Sequence, residues 1–286
     1  MPSLIDIRRR IRTVRNTQQI TKAMKMVAAA RLRRAQERVI AARPYAGMFS
    51  KLLSNVAAAA ARDERLASHP LLAQRDEQRI QLIFVTSDRG LAGAFNSNLI
   101  KAAVKFIDEH EGARVELELL GRKGRDFFRR RDVTVTGEAV GLAAKVRYDD
   151  AAAIAKKVMG RFSAGEIDSV YVLYNEFKSV VSQKLTIERV LPLSLPQGQE
   201  PPDYIYEQDP MALLETLLPR YVEIAVYSAL VESTAAEHAA RMTAMDAATS
   251  NAAEVIDRLT LHMNRVRQSS ITNEIIEVVS GAAALE

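Results

Sequence analysis

The sequence predicts an α+β fold with an α/β core: a long antiparallel coiled coil of N- and C-terminal helices carrying an inserted Rossmann-like α/β domain. Three observations carry that prediction. Between Arg220 and Ser280 there is no glycine and no proline, and small or aliphatic residues recur at steps of three and four: Ala244, Ala248, Ala252, Val255, Leu259, Met263 and Val266. A second seam with the same spacing begins at Leu4. From about residue 78 to 195, β-rich apolar runs alternate with helical stretches, the pattern of a parallel or mostly parallel sheet. An unbroken helix of roughly 70 residues runs on the order of 100 Å at about 1.5 Å per residue. One globular domain of this size cannot bury such a helix, so it needs a partner.

In chain order, Ser3 reads as an N-cap with Asp6 as the acidic member of a capping box. Leu4, Ile7, Ile11, Val14, Thr17, Thr21, Met24, Ala28, Leu32, Ala35, Val39 and Ala42 then form a heptad-like seam. Alanine, threonine and methionine outnumber leucine in it, so two backbones can approach closely. Pro44 and Gly47 interrupt the pattern and Met48 to Ala61 resumes it, which predicts one helical segment (1–61) with a kink. Arg62 to Arg79 is polar, includes His69-Pro70, and reads as a linker. Within the inserted domain (78–195), strands are expected at Ile80–Thr86, Val115–Leu120, Val133–Thr136, Ser169–Tyr174 and Val181–Val190. Helices are expected at Asn96–His110, Gly121–Arg131 and Asp149–Phe162. Pro192, Pro196, Pro201 and Pro202 mark a loop. Asp209 as N-cap and Pro210 at the first helical position then open the last helix (209–286), and Pro219 predicts a bend inside it. A compact insert returns the chain near its point of departure, so the terminal helices pair antiparallel.

Composition narrows the function classes. The chain has no cysteine, hence no disulfide framework, thiol nucleophile or thiolate metal site, and its four histidines (His69, His110, His238, His262) are scattered. No apolar run approaches the roughly 20 residues of a membrane span. The N-terminus has arginines but no apolar core of a secretory signal, and the heptad pattern starting at once argues against a transit peptide. A cytoplasmic setting is expected.

Candidate chemistry is sparse. Thr86-Ser87-Asp88-Arg89-Gly90-Leu91-Ala92-Gly93 lies where α/β folds bind phosphate, between a strand and a helix. It lacks the P-loop lysine and the three-glycine dinucleotide fingerprint, so a tight strand-to-helix turn is the better reading and no cofactor is expected. Glu274 and Glu277 share a helix face as solvated charges. No Ser/His/Asp arrangement and no catalytic or metal site can be placed. The strongest charge feature is the first helix, where Arg8, Arg9, Arg10, Arg12, Arg15, Lys22, Lys25, Arg31, Arg33, Arg34 and Arg38 are offset only by Asp6 and Glu37. These arginines surround the helix without interleaved aromatics, which argues against nucleic acid. Acids of the last helix (Glu223, Glu232, Glu237, Asp246, Glu254, Asp257) meet part of the charge, and an acidic protein partner suits the remainder. The apolar end, Ile275-Ile276, Val278-Val279 and Gly281 to Leu285, follows a polar run from Arg267 to Glu274. Two occupants stay open for it: a partner's cavity, or the chain's own N-terminal helix.

Several stretches together carry a resemblance: Ile20-Thr21-Lys22-Ala23-Met24-Lys25-Met26-Val27-Ala28-Ala29, Ser87-Asp88-Arg89-Gly90-Leu91, Tyr204-Ile205-Tyr206-Glu207, Arg267 through Ile275, and Ser280-Gly281-Ala282-Ala283. In this order, over nearly the whole chain, they resemble the gamma-subunit family of F-type ATP synthases, the central rotor stalk. The resemblance implies a non-catalytic rotor, one copy per complex, coupling a proton-driven membrane c-ring to the catalytic alpha–beta hexamer. It implies beta-subunit contacts at Arg267, Gln268, Thr272 and Glu274, an apolar tip in a hydrophobic sleeve, and Met24 with Lys22 and Lys25 facing an acidic beta loop. Tyr204, Tyr206 and Glu207 would lie near the epsilon subunit and the c-ring. The implied location is peripheral, on the cytoplasmic face of a bacterial inner membrane, with no nucleic acid and no small-molecule substrate of its own. A nucleic-acid-binding coiled coil and a small α/β enzyme with a helical arm remain the competing classes; steep salt dependence of binding, or a bound cofactor, would distinguish them.

Overall fold

A computed structural model of the chain describes residues 3–60, 69–193 and 207–283. Its elements are α1 (Leu4–Ala59), β1 (Arg79–Val85), α2 (Phe95–Glu109), β2 (Arg114–Leu120), α3 (Arg122–Phe128), β3 (Thr134–Ala139), α4 (Tyr148–Ser163), β4 (Ser169–Phe177), β5 (Gln183–Leu191) and α5 (Pro210–Ala283). Short 3₁₀ turns stand at Pro70–Leu72 and Leu142–Ala144. This is the predicted architecture of terminal helices flanking an α/β sheet. Two compact units are formed, Met1–Ala28 with Met242–Glu286, and Ala29–Arg241.

Both helix starts follow their caps. Ser3 Oγ accepts from Asp6 N at 3.2 Å while Asp6 Oδ2 accepts from Ser3 N at 3.2 Å, the reciprocal capping box. Asp209 Oδ1 accepts more loosely from Met211 N at 3.5 Å. Pro44 and Pro219 both lie inside helices that continue on either side, so the break in pattern at Pro44–Gly47 does not end α1. Pro44 is exposed, so water can satisfy the carbonyl it frees.

In the larger unit the sheet order is β3-β2-β1-β4-β5, parallel except for β5, which pairs antiparallel with β4. β1 and β2 are buried from their second residue onward, as strands covered on both faces are, although Gln81, Glu116 and Glu118 interrupt their apolar runs. On one face, α2 sets Phe106 against Tyr171 of β4, ring centroids 5.2 Å apart, and Phe128 of α3 meets Phe84 edge-on. On the other face α4 meets buried polar side chains: Arg161 donates to Gln81 Oε1 at 2.9 Å and Glu116 Oε2 at 2.7 Å, and Lys157 to Glu118 Oε2 at 2.8 Å. The β2–β3 register slips between Leu117 and Glu118, and Thr136 at that bulge bonds Leu117 O and Glu118 Oε2. Under α4 the buried carboxylates of Glu116 and Glu118 thus each have a cation, and the Thr136 hydroxyl at the bulge has partners, which is what makes burying them tolerable.

The direction of winding reverses between β1 and β4, the switch point where open α/β sheets bind ligands. Here α5 itself lies across the carboxyl ends of these strands. From Val222 to Ala239 it is buried on nearly every side, and Ala229, Ala235, Ala236 and Ala239 keep its backbone close to its neighbours. A helix surrounded by protein has no polar stripe, so the burial is legible only once its surroundings are known.

Candidate interaction surface

In the smaller unit the two helix segments pair antiparallel. Thr21 and Thr249 hydroxyls hydrogen-bond at 2.8 Å, and Lys25 Nζ meets Asp246 Oδ1 at 2.6 Å. Ile7, Thr21 and Ala28 of the expected seam are buried, and Leu4, Ile11, Val14 and Met24 half-buried. Thr17 is a correction: it is exposed, its hydroxyl bonding Thr13 O at 3.1 Å, and Gln18 takes the inward position. A step of three from Val14 falls one residue short of the step of four that the heptad takes there. On α5 the inward side chains include Met245, Ala252, Val255, Leu259, Met263 and Val266, with Met245 more deeply buried than the expected Ala244.

Extending this register to the start of α1 puts Leu4 opposite about residue 266. Past that point α5 has outrun its partner. Ile271, Ile275, Ile276, Val278 and Val279 are accordingly exposed, Val278 by 73%. The two open readings for the apolar end therefore resolve against packing on α1. A helix face this apolar, left in water, marks an interaction site.

The residues expected to contact beta divide between two levels of this unit. Arg267, Gln268, Thr272 and Glu274 are all exposed at and beyond the end of the pair; Thr272 Oγ1 donates to Gln268 O at 2.9 Å and Ser270 Oγ to Glu274 Oε1 at 3.3 Å. Met24 and Lys25 lie half-buried within the pair, and Lys22 is exposed. Lys25 is held by Asp246, so it presents a neutralised pair rather than a bare charge. Glu207 is exposed, and Tyr204 and Tyr206 lie outside the described residues.

The larger unit contains junctions that no spacing in the sequence announces. Glu232 of α5, largely buried, accepts from Arg43 Nε at 2.7 Å and Nη2 at 3.1 Å and from the Phe177 backbone N at 2.9 Å. Arg43 Nη2 also donates to Phe177 O at 2.6 Å. One carboxylate so ties α5 to α1 and to the end of β4. Tyr148 donates to Glu223 Oε2 at 2.7 Å, and burial together with that bond pushes its hydroxyl up to about 12. Arg241 Nη2 reaches Glu237 Oε1 at 2.6 Å and the carbonyls of Arg89 and Gly90, both at 3.3 Å. Burial holds Glu237 above the ordinary carboxylate value, and burial with the charges of Arg241 and Arg31 pushes His238 down to about 4.

The turn at 86–93 is held internally. Ser87 N and Oγ both donate to Asn96 Oδ1, at 3.1 and 2.9 Å, and Asp88 accepts from Arg122 N at 3.1 Å and Gly141 N at 3.0 Å. Gly121 closes against it at φ 107°, where a Cβ would stand 2.1 Å from Thr86 O. This is the tight strand-to-helix turn expected, with α5 lying where a dinucleotide would.

Comparison with known proteins agrees with this geometry. The family model described as ATP synthase matches residues 3–285. A protein of Solibacter usitatus named ATP synthase gamma chain is 68% identical over 286 residues, covering 100% of both chains. The gamma chain of Desulfitobacterium hafniense is 52% identical, again over 100% of both. Among solved structures, a chain of the Tetrahymena thermophila mitochondrial ATP synthase central stalk and c-ring assembly aligns with TM-score 0.59 and 26% identity, over 80% of this chain and 99% of that one. A chain of the Euglena gracilis mitochondrial enzyme shares the fold at TM-score 0.68 and 21% identity, over 99% of this chain and 94% of that one. With matches that run the full length of the sequence, the chain belongs to the gamma-chain family of the ATP synthase.

Proposed function

We propose that the chain is the central-stalk rotor of a proton-translocating F-type ATP synthase, itself non-catalytic, present in one copy and turning inside an alpha–beta hexamer. The observation that carries this, beside family membership, is the end of α5: an apolar helix face that outruns its own partner and needs a surrounding protein. We assign Arg267, Gln268, Thr272 and Glu274 to polar contacts with beta just below a hydrophobic sleeve that receives Ile275, Ile276, Val278 and Val279. Met24, with Lys22 and Lys25, faces an acidic beta loop. Tyr204, Tyr206 and Glu207 belong to the foot, against the epsilon subunit and the c-ring.

The mechanism is mechanical. Torque entering at the foot must pass to the paired helices; the Glu232–Arg43–Phe177 junction and the Arg241 bonds to the carbonyls of Arg89 and Gly90 keep α5 from turning against the sheet. The catalytic sites belong to the beta subunits, and the rotor changes their binding states by presenting different side chains to each in turn. Among the described residues no helix is long and apolar enough to cross a membrane. Attachment to the cytoplasmic face of the bacterial inner membrane, through the c-ring and epsilon, is part of the proposed assignment. The test is purification of the assembled enzyme through a tag on this chain. Alpha and beta in three copies each per copy of this chain, with ATP hydrolysis in the eluate, is the expected result. Recovery without beta, or with two copies of this chain per hexamer, would refute the assignment.

A further inference from the structure

Beside the turn after β1, a cleft of about 310 Å³ opens between α1, that turn and α5, at the rim of the sheet's switch point. Its walls are strongly cationic. Arg31, Arg34 and Arg38 line it from one face of α1, at the three- and four-residue steps that bring side chains together. Arg89 joins them from the turn and Arg241 from α5. Only Arg241 is neutralised, by Glu237; the other four arginines form no ion pair among the described residues. The second acid of the lining, Asp88, is already occupied by the backbone N–H groups of Arg122 and Gly141. An excess of three positive charges remains around a concavity.

Four exposed arginines from two elements line one concavity without an ion-pair partner among the described residues, and an anion is the counter-ion that this lining lacks. Guanidinium groups match phosphate oxygens in pairs, and the volume is at the small end of ligand sites, room for one or two phosphate groups. The placement is also the one at which open α/β sheets hold ligands. α5 covers most of that crevice, and this cationic rim is what it leaves open.

We propose that this cleft binds a small phosphate-class oxyanion, either inorganic phosphate or the phosphate end of a nucleotide whose base stays outside. The site belongs to the larger unit and shares no residue with the beta-contact surfaces assigned above. A bound oxyanion would bridge α1 to the turn, adding a third tie between helices and sheet beside those at Glu232 and Arg241.

The test is calorimetric titration of the full chain, at constant ionic strength, with inorganic phosphate, pyrophosphate, ADP and hexaglutamate in separate arms. Arg34→Gln and Arg89→Gln remove unpaired charges and should leave the fold intact, as checked by thermal melting. Arg33→Gln, on the same helix but outside the cleft and paired with Glu37, is the control. Saturable binding of one pyrophosphate is expected, weakened about tenfold by either cleft substitution and unchanged in the control. Pyrophosphate and ADP binding equally would identify the oxyanion alone as the ligand; tighter ADP binding would identify a nucleotide. No saturable phosphate or pyrophosphate binding, equal weakening by Arg33→Gln, or hexaglutamate binding more tightly than pyrophosphate would overturn the proposal, the last in favour of an acidic protein segment.

Discussion

Replacing Arg43 by alanine tests the junction that ties α5 to the sheet. The Glu232 side chain is 11% exposed and accepts three hydrogen bonds, two of them from Arg43. The substitution removes those two bonds and the countercharge, leaving the carboxylate with only Phe177 N. Severing a buried ion pair by deleting one partner costs about 3–5 kcal/mol. Arg43 is itself 48% exposed, so water reaches its position and the expected loss is smaller, about 2–3 kcal/mol. For a unit of this size each kcal/mol lowers Tm by about 2–4 °C, so a fall of roughly 5–10 °C is expected by circular dichroism. Replacing both partners, Arg43→Met with Glu232→Leu, removes the stranded charge and should recover more than half of the loss. In the assembled enzyme, Arg43→Ala should lower ATP-driven proton pumping more than ATP hydrolysis, since the junction carries torque rather than chemistry. A Tm within 2 °C of the parent chain for Arg43→Ala, or a double variant no more stable than the single one, would refute the reasoning.

Gly121→Ala places a methyl group 2.1 Å from Thr86 O at φ 107°, and a loss of roughly 3 kcal/mol or more should appear in urea unfolding of the full chain. His238, 8% exposed, has a folded value near 4, below its unfolded one near 6.5. Its neutral form is therefore the one the fold accommodates: the contribution is fully present above about pH 6.5 and lost as pH falls towards 4, by up to about 3 kcal/mol. Glu237, raised by burial, acts in the opposite sense over the acidic end of that range, so the comparison is with His238→Gln, whose melting should fall less between pH 7 and 5 than the parent's. Arg267→Ala with Gln268→Ala should leave the isolated chain's Tm unchanged, since both are exposed, while lowering ATP turnover or assembly; intact values for both would remove these residues from the beta contact. Lys25→Ala breaks a half-exposed pair and should cost under about 0.5 kcal/mol, yet change turnover if the Lys25–Asp246 pair meets the acidic beta loop; unchanged turnover would exclude that contact.

The sequence by itself determined what depends on local pattern. Helix caps at Ser3 and Asp209, the two heptad seams, the alternation of strands and helices, and the tight turn at Ser87–Gly93 are set by residues within a few positions of one another, and they reappear in the fold with small shifts. The charge run on α1 and the apolar end of α5 were legible for the same reason. What pairs with what was decided only in three dimensions. Whether Ile275 and Val278 lie on α1 or in water depends on the antiparallel register, which the Thr21–Thr249 and Lys25–Asp246 contacts fix across more than 200 residues of chain. The roles of Glu232 and Arg241 were hidden likewise: both look like ordinary helix-surface charges until β4 and the turn after β1 come to meet them. Burial is a property of neighbours, and the neighbours of α5 are supplied by the inserted domain rather than by its own periodicity.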